Sequence, residues 1–403
     1  MLRNQLITPE GTKDYLFEEA AARRCVEGKL RALFESRGFC EVVTPGLEFL
    51  DVFSVRGHSL PMEDMYKLTD HKGRLMALRP DSTLPIARLC ATRLKGAGFP
   101  IRLFYNQPVY SAARSLRGRS DEVMQTGVEL IGNSSKKADL ELVSLAVNSL
   151  QSCGGSDFRL EIGHIGVLNA LLESLSSDEG VREEIRRLIE SKNYPALNDA
   201  LDRLGGGEEA EILKLLPRLF GGEEVIKKAI SLIQNSKALA ALNYLQALYQ
   251  DLGSLGLSGK VTVDLGIANR ADYYTGIVFK GYMEGHGEAV LSGGRYDNLL
   301  GAFGVEAGAT GFGINVDAAA RMLLSSGVSL LKPPDVLVFA ESGYETKAIG
   351  RLAEHSTAGN KAELSLFETL RESLIDAKRR GITRVESVGE VIKSIPQKAG
   401  GRE

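Results

Sequence analysis

The chain has no tryptophan and only four cysteines among 403 residues. Cys25, Cys40, Cys90 and Cys153 lie far apart and form no C-x-x-C pair. That spacing excludes a disulfide framework and a zinc ribbon, and it leaves reduced thiols as the expectation. No run of about 18 apolar residues occurs, which excludes an apolar spanning helix. The first residues, MLRNQLITPEGTKD, lack the apolar core of an export signal, so a cytoplasmic protein is expected. Charge of either sign is not in excess. A formal net charge of -3 argues against a strongly basic nucleic-acid-binding protein. The five histidines show no metal-ligand spacing, so no metal is expected. No G-x-S-x-G, P-loop or H-E-x-x-H occurs. GATGFG (308–313) has the wrong glycine order for a dinucleotide site, and GHIGV (163–167) lacks the second histidine of a HIGH signature. No cofactor is expected.

What is present is ordinary in bulk. Hydrophobic content of 43% and charged content of 25% fit a soluble globular chain of two or three domains. After an extended lead, Val26, Leu30, Leu33 and Phe34 share one helical face that ends at Gly38. Phe39 to Thr44 reads as a short strand stopped by Pro45, and Leu47 to Phe53 as a helix start. MYKLTDHKGRLMALRPDST (65–83) reads as a hairpin turning at Asp70–Gly73 and leading into a helix. Arg102–Tyr110 and Glu122–Gly132 read as a strand pair joined by the basic loop SAARSLRGRSD. Leu140, Val143, Val147 and Leu150 mark an amphipathic helix. Leucines and alanines then recur at helical spacing, giving a helical insert at about 168–256. Strand texture resumes at Lys260. Val261 to Ile267 alternates with a period of two, and Ile277 to Met283 makes a second strand. NRADYYTG lies between them and reads as a hairpin turn or the wall of a polar pocket. Residues 326–334 read as a linker, and 335–403 as a small α/β unit. The main body lacks regular strand–helix alternation. An α+β fold is expected: an antiparallel sheet with flanking helices over 1–325.

Three groups of residues can carry chemistry. On the strand Met124–Leu130, Gln125, Gly127 and Glu129 share one face. An amide, a glycine and a carboxylate in a row suit an ammonium group, and the glycine lets a ligand approach the backbone. A solvated sheet face is the competing reading. In RPDST, Asp81 and Thr83 stand at a strand-to-helix junction, where they either bind an amine or cap the helix. Arg114, Arg117 and Arg119 sit in a loop that suits phosphate or simple solvation.

The order TPEGTKD, MYKLTDHKGRLMALRPDST, QTGVELIG, DYYTG, GGRYD and ATGFG resembles the catalytic domain of histidyl-tRNA synthetase, a class II synthetase. The resemblance covers about 5–325 apart from the insert, and it implies the class II antiparallel fold. It implies that Asp81, Thr83, Gln125, Glu129, Tyr273 and Tyr274 hold the amine and imidazole of histidine. The departures bear on catalysis. Where the family carries an arginine and a glutamate in motif 2, Ser111 and Ala113 stand. Asn269 replaces the arginine three residues before Asp272, with Arg270 one place late. Asp317 and Ala318 replace the Glu-Arg pair of motif 3. Arg119 remains as an anion contact, with Arg270 a second candidate. Adenylation builds negative charge, and one lost donor costs about 10²–10³-fold in rate. Neutral side chains do not replace guanidinium forks.

A site that loses ATP chemistry and keeps its amino-acid pocket resembles the regulatory-subunit branch of ATP phosphoribosyltransferase, a synthetase paralogue. That resemblance implies a non-catalytic role, the short-form catalytic subunit as partner, histidine as effector, and self-association through the synthetase-like dimer interface. It implies neither tRNA nor membrane as partner. A divergent synthetase with Arg270 in the missing role is the alternative, and a histidine sensor for an unrelated partner is a third reading.

Overall fold

The structure is a computed structural model that describes residues 6–55, 60–112, 120–154, 157–267 and 273–397. It divides into two units, Met1–Val328 and Ser329–Glu403.

The first unit opens with helix α1 (Phe17–Ser36), whose Ala22, Val26, Leu30 and Phe34 are buried. Strands β1 (Cys40–Glu41), β2 (Leu47–Phe49), β3 (Lys67–Thr69) and β4 (Leu75–Leu78) follow. Helix α2 (Thr83–Thr92) leads to the long pair β5 (Ile101–Tyr110) and β6 (Glu122–Ile131). Next come α3 (Lys136–Ser152) and β7 (Phe158–His164). A helical stretch holds α4 (Ile165–Leu175), α5 (Glu179–Glu190), α6 (Tyr194–Arg203) and α7 (Glu208–Leu215). It continues through the short strand β8 (Phe220–Gly221) to α8 (Glu223–Leu232) and α9 (Ser236–Ser254). The sheet then resumes with β9 (Val261–Asp264), β10 (Ile277–Met283), β11 (Leu291–Arg295) and β12 (Ala309–Asn315), and α10 (Val316–Ser325) follows.

Nine of these strands form one sheet in the order β1-β5-β6-β12-β11-β10-β7-β9-β8. It is antiparallel through its centre, with parallel pairs at β1–β5 and β7–β9. β2, β4 and β3 make a separate antiparallel sheet. Two sequence expectations fail here. Leu47–Phe53 is no helix start: Leu47–Phe49 pairs with β4, and only Leu50–Phe53 turns as a short 3-10 segment. Its Glu48 points inward and accepts from Arg88 at 2.7 Å, an arrangement that strand alternation provides. Likewise β9 and β10 form no hairpin, because β7 lies between them, parallel to one and antiparallel to the other. Periodicity finds strands, whereas neighbour order depends on contacts distant in sequence. His164, in the GHIGV stretch, caps α4: its Nδ1 accepts from the Gly166 amide at 3.1 Å.

The second unit holds β13 (Val336–Ala340), α11 (Glu345–Thr357), β14 (Ala362–Leu364), α12 (Leu370–Arg380), β15 (Arg384–Val388) and β16 (Ile392–Pro396). Its sheet runs β14-β13-β15-β16. α11 and α12 pack on opposite faces, through Ala348 against Val336 and Val338, and Ala377 against Leu337 and Val385. Strand β16 was not expected from the sequence. It is mostly exposed, so hydrophobic patterning does not reveal it. Buried Glu386 accepts from Arg351 at 2.8 Å and pairs with His355 at 3.0 Å. The Arg351 guanidinium holds its carboxyl down at about 2.

The tight spacing of the central strands is open to test. A side chain at Gly293 would run into the Gly311 carbonyl oxygen and the backbone of Phe312. Backbone atoms of a paired strand have no rotamer to escape into. Gly293→Ala is therefore expected to lower stability by about 1–3 kcal/mol, read as a lower urea midpoint. An unchanged midpoint would show that β11 and β12 can separate without loss.

Candidate functional site

Strand pairing carries one face of the large sheet toward a single polar pocket. In register across the strands run Tyr105, Gly127, Gly313 and Ser292, and beside them Glu129, Gly311 and Gly294. Directly paired residues project to the same side, so β5, β6, β12 and β11 together build this floor. The start of α2 supplies Asp81 and Thr83 from above the floor. Tyr273 and Tyr274 arrive from the segment before β10, and Tyr296 from the end of β11. All six residues expected to bind histidine therefore line one cavity: Asp81, Thr83, Gln125, Glu129, Tyr273 and Tyr274. Arg119 and Arg270, together with Ala113 and Asn269, lie outside the described residues.

Glu129 is the centre of the pocket and is 1% exposed. Its Oε1 accepts from the Thr83 hydroxyl at 2.9 Å, and its Oε2 accepts from the Tyr296 hydroxyl. Tyr105 donates to Gln125 Oε1 at 3.0 Å. The rings of Tyr273 and Tyr274 lie 4.8 Å apart, and Tyr296 meets Tyr273 edge-on at 5.7 Å. Asp81 is both cap and lining: its Oδ1 accepts from the Leu84 amide at 3.0 Å. The cap role expected as a competing reading is thus real and coexists with the pocket. One expectation changes. The missing side chain of Gly127 makes room for the Tyr105 hydroxyl and the Phe312 carbonyl, rather than for a ligand.

Electrostatically the pocket is one-sided. Burial pushes the Glu129 carboxyl up to about 8, and burial raises Asp81 as well. No cation lines the pocket among the described residues. The nearby Arg79 guanidinium is turned away, donating to the carbonyls of Thr44, Pro45 and Pro108 at 2.7–3.1 Å. Two desolvated carboxylates without a cation suit a ligand that brings positive charge and donors. The cavity volume is about 40 Å³. That is room for a few waters.

Sequence reasoning missed Tyr105, Ser292 and Tyr296 as lining residues. Tyr296 lay in view within GGRYD. Tyr105 could have been found by counting back from the loop of the β5–β6 pair, which sets it opposite Gly127. Elsewhere, Asp317 is buried and occupied. Its Oδ2 accepts from the Met124 amide at 2.8 Å, and its Oδ1 stands 3.1 Å from Arg23. Arg23 in turn lies over the Tyr15 ring at 4.4 Å. Among the described residues no group of three His, Cys, Asp or Glu side chains is placed to hold a metal ion.

The raised Glu129 carboxyl makes stability depend on pH. Folded, Glu129 keeps its proton to about 8; an unfolded glutamate releases it near 4.5. The folded state therefore binds the extra proton between these values, and stability falls as pH rises through that window. Glu129→Gln removes the effect. Its unfolding free energy should exceed that of the unaltered chain by a margin that widens from pH 5 to pH 8, up to about 3–5 kcal/mol. Parallel melting curves across that range would contradict the shift.

Comparison with known proteins places this geometry. The family model for histidyl-tRNA synthetase matches residues 11–319. An ATP phosphoribosyltransferase regulatory subunit of Clostridium kluyveri is 42% identical over 369 residues, 91% of this chain and 94% of that one. Another from Clostridium botulinum is 39% identical over 378 residues, covering 93% and 90%. A solved ATP phosphoribosyltransferase regulatory subunit/histidyl-tRNA synthetase from Bacillus halodurans superposes with a TM-score of 0.81 at 32% identity, covering 92% of this chain and 96% of that one. The chain belongs to the ATP phosphoribosyltransferase regulatory subunit family, and it is a non-catalytic regulatory subunit built on the histidyl-tRNA synthetase fold.

Proposed function

We propose that this chain assembles with the short-form catalytic subunit of ATP phosphoribosyltransferase in the cytoplasm, is required for its activity, and reports histidine to it. The reading rests on one observation above others: buried Glu129 and half-buried Asp81 share a tyrosine-lined pocket with no cation among the described residues. In this reading the histidine ammonium sits against Glu129 and Asp81. Thr83 and Gln125 supply further polar contacts, and Tyr273 and Tyr274 line the imidazole. Arg119 and Arg270 are proposed as anion contacts on sequence grounds. Feedback then requires that histidine bind one state of the assembly better than another. Among the described residues no helix is long and apolar enough to cross a membrane.

The small sheet supports self-association. Its register sets Leu47, Phe49, Leu68, Met76 and Leu78 on one face. Leu47 and Phe49 remain 45% and 41% exposed. An open apolar sheet face of this kind suits a second copy. Phe49→Glu should weaken the dimer at least about tenfold, the effect of seating one unpaired charge in an apolar interface. Sedimentation equilibrium reads this directly, and an unaltered association constant would reject the face.

Histidine binding is tested by calorimetry on the assembly with the catalytic subunit. An ammonium ion favours ionised Glu129, so binding expels a proton while the pH is below about 8. Affinity should rise between pH 7 and pH 8, and the measured heat should depend on the buffer's ionisation enthalpy. Glu129→Ala and Tyr274→Phe should each weaken binding. Affinity indifferent to both substitutions would remove histidine from this pocket, and robust ATP–pyrophosphate exchange with histidine would overturn the regulatory reading.

A further inference from the structure

The pocket is tied to the helical stretch α4–α9 by a buried polar chain. Tyr296, which donates to Glu129, follows Arg295 in sequence. Arg295 is 5% exposed and Asp139, on the first turn of α3, is fully buried. The Arg295 Nε lies 3.0 and 3.1 Å from the two Asp139 oxygens, and a terminal nitrogen donates at 2.7 Å. The guanidinium also reaches Asp297 at 2.8 Å and the Asn133 carbonyl at 3.1 Å. On the far side of Asp139, the Tyr244 hydroxyl of α9 donates to Oδ2. The backbone of Arg295 matters equally. Its carbonyl accepts from the Thr275 amide at 2.7 Å, next to Tyr274. Arg295 therefore holds both aromatic walls: Tyr296 by chain continuity, and Tyr273–Tyr274 through Thr275.

Both oxygens of Glu129 are already engaged, by Thr83 and Tyr296. A ligand at Glu129 meets Tyr296 and the Tyr273–Tyr274 pair, both joined to Arg295. The contacts of Arg295 and Tyr244 with Asp139 are made while the Tyr296 hydroxyl occupies Glu129. We propose that Tyr244 is a positioning residue that acts through Asp139 and Arg295 to hold the pocket closed, making α9 part of the ligand response. This rests on the pocket's being the histidine site. The Tyr244 ring also lines a surface cleft of about 420 Å³ between α4 and α9, against the edge of His164 at 5.7 Å. Pocket occupancy would thus reach the surface there.

The sign of the effect separates this role from simple support. When a binding-competent state is only partly populated, apparent affinity falls by that fraction. Releasing a restraint on the closed state raises it. Calorimetry on the full chain compares histidine binding by the unaltered protein, Tyr244→Phe, and Tyr249→Phe, a second tyrosine of the same helix that lies near Glu223 and Glu224. Tyr244→Phe should bind histidine about fivefold more tightly, the equivalent of one net hydrogen bond. Tyr249→Phe should leave affinity unchanged, and melting curves establish that both variants fold. Unchanged or weaker histidine affinity in Tyr244→Phe, with the unaltered chain binding, overturns the relay alone. Absence of binding by the unaltered chain overturns the pocket assignment and the relay with it.

Discussion

The buried Arg295–Asp139 pair is the constraint on which the pocket depends. Removing two charges from water costs several kcal/mol per ion unless geometry and further hydrogen bonds offset it. Here the offset is thorough. The guanidinium finds a carboxylate, a second acidic side chain and two backbone carbonyls, and the carboxylate takes a tyrosine hydroxyl as well. Such a pair tolerates little displacement, since any movement leaves a desolvated donor or acceptor without a partner. It fixes β11, the start of α3 and the segment before β10 relative to one another, and so it sets where three tyrosines meet Glu129.

Much of this was legible in sequence, in proportion to how local the signal was. The second strand expected at Ile277–Met283 is β10 at those bounds, and the face shared by Gln125 and Glu129 follows from a period of two. The hairpin of β3 and β4 followed from its turn residues. What escaped needed distant partners. β7 separates β9 from β10 because it arrives from before the helical stretch, and nothing near NRADYYTG announces that. Leu47–Phe49 has the composition of either element until β4 pairs with it. The role of Tyr105 appears only once β5 and β6 are in register.

The pocket's six expected residues came from a resemblance, and the structure brings them to one cavity. Desolvation raises both Glu129 and Asp81, and the Asp81 carboxylate adds to the cost of ionising Glu129. In the proposed reading, a pocket whose Glu129 holds a proton in place of a cation exchanges it for an ammonium group with little net change in charge. That exchange makes recognition selective for amines without a permanently buried, unpaired carboxylate.

Asp317 stands in the stretch that corresponds to the synthetase's motif 3. Where the synthetase pattern has a Glu-Arg pair, a short carboxylate accepts from the Met124 amide and faces Arg23, which in turn stacks on Tyr15. By that pattern Asp317 keeps the glutamate's charge and pairs with Arg23, and Ala318 brings no cation in place of the arginine, so the positive charge that adenylation needs is missing there. A transition state rich in anionic oxygen gains nothing from that arrangement. A sensor needs something else: a ligand-dependent difference in free energy between two arrangements. In the proposed reading the pocket supplies it, the energy of opening against Tyr296, Thr275 and Arg295 being drawn from ligand binding.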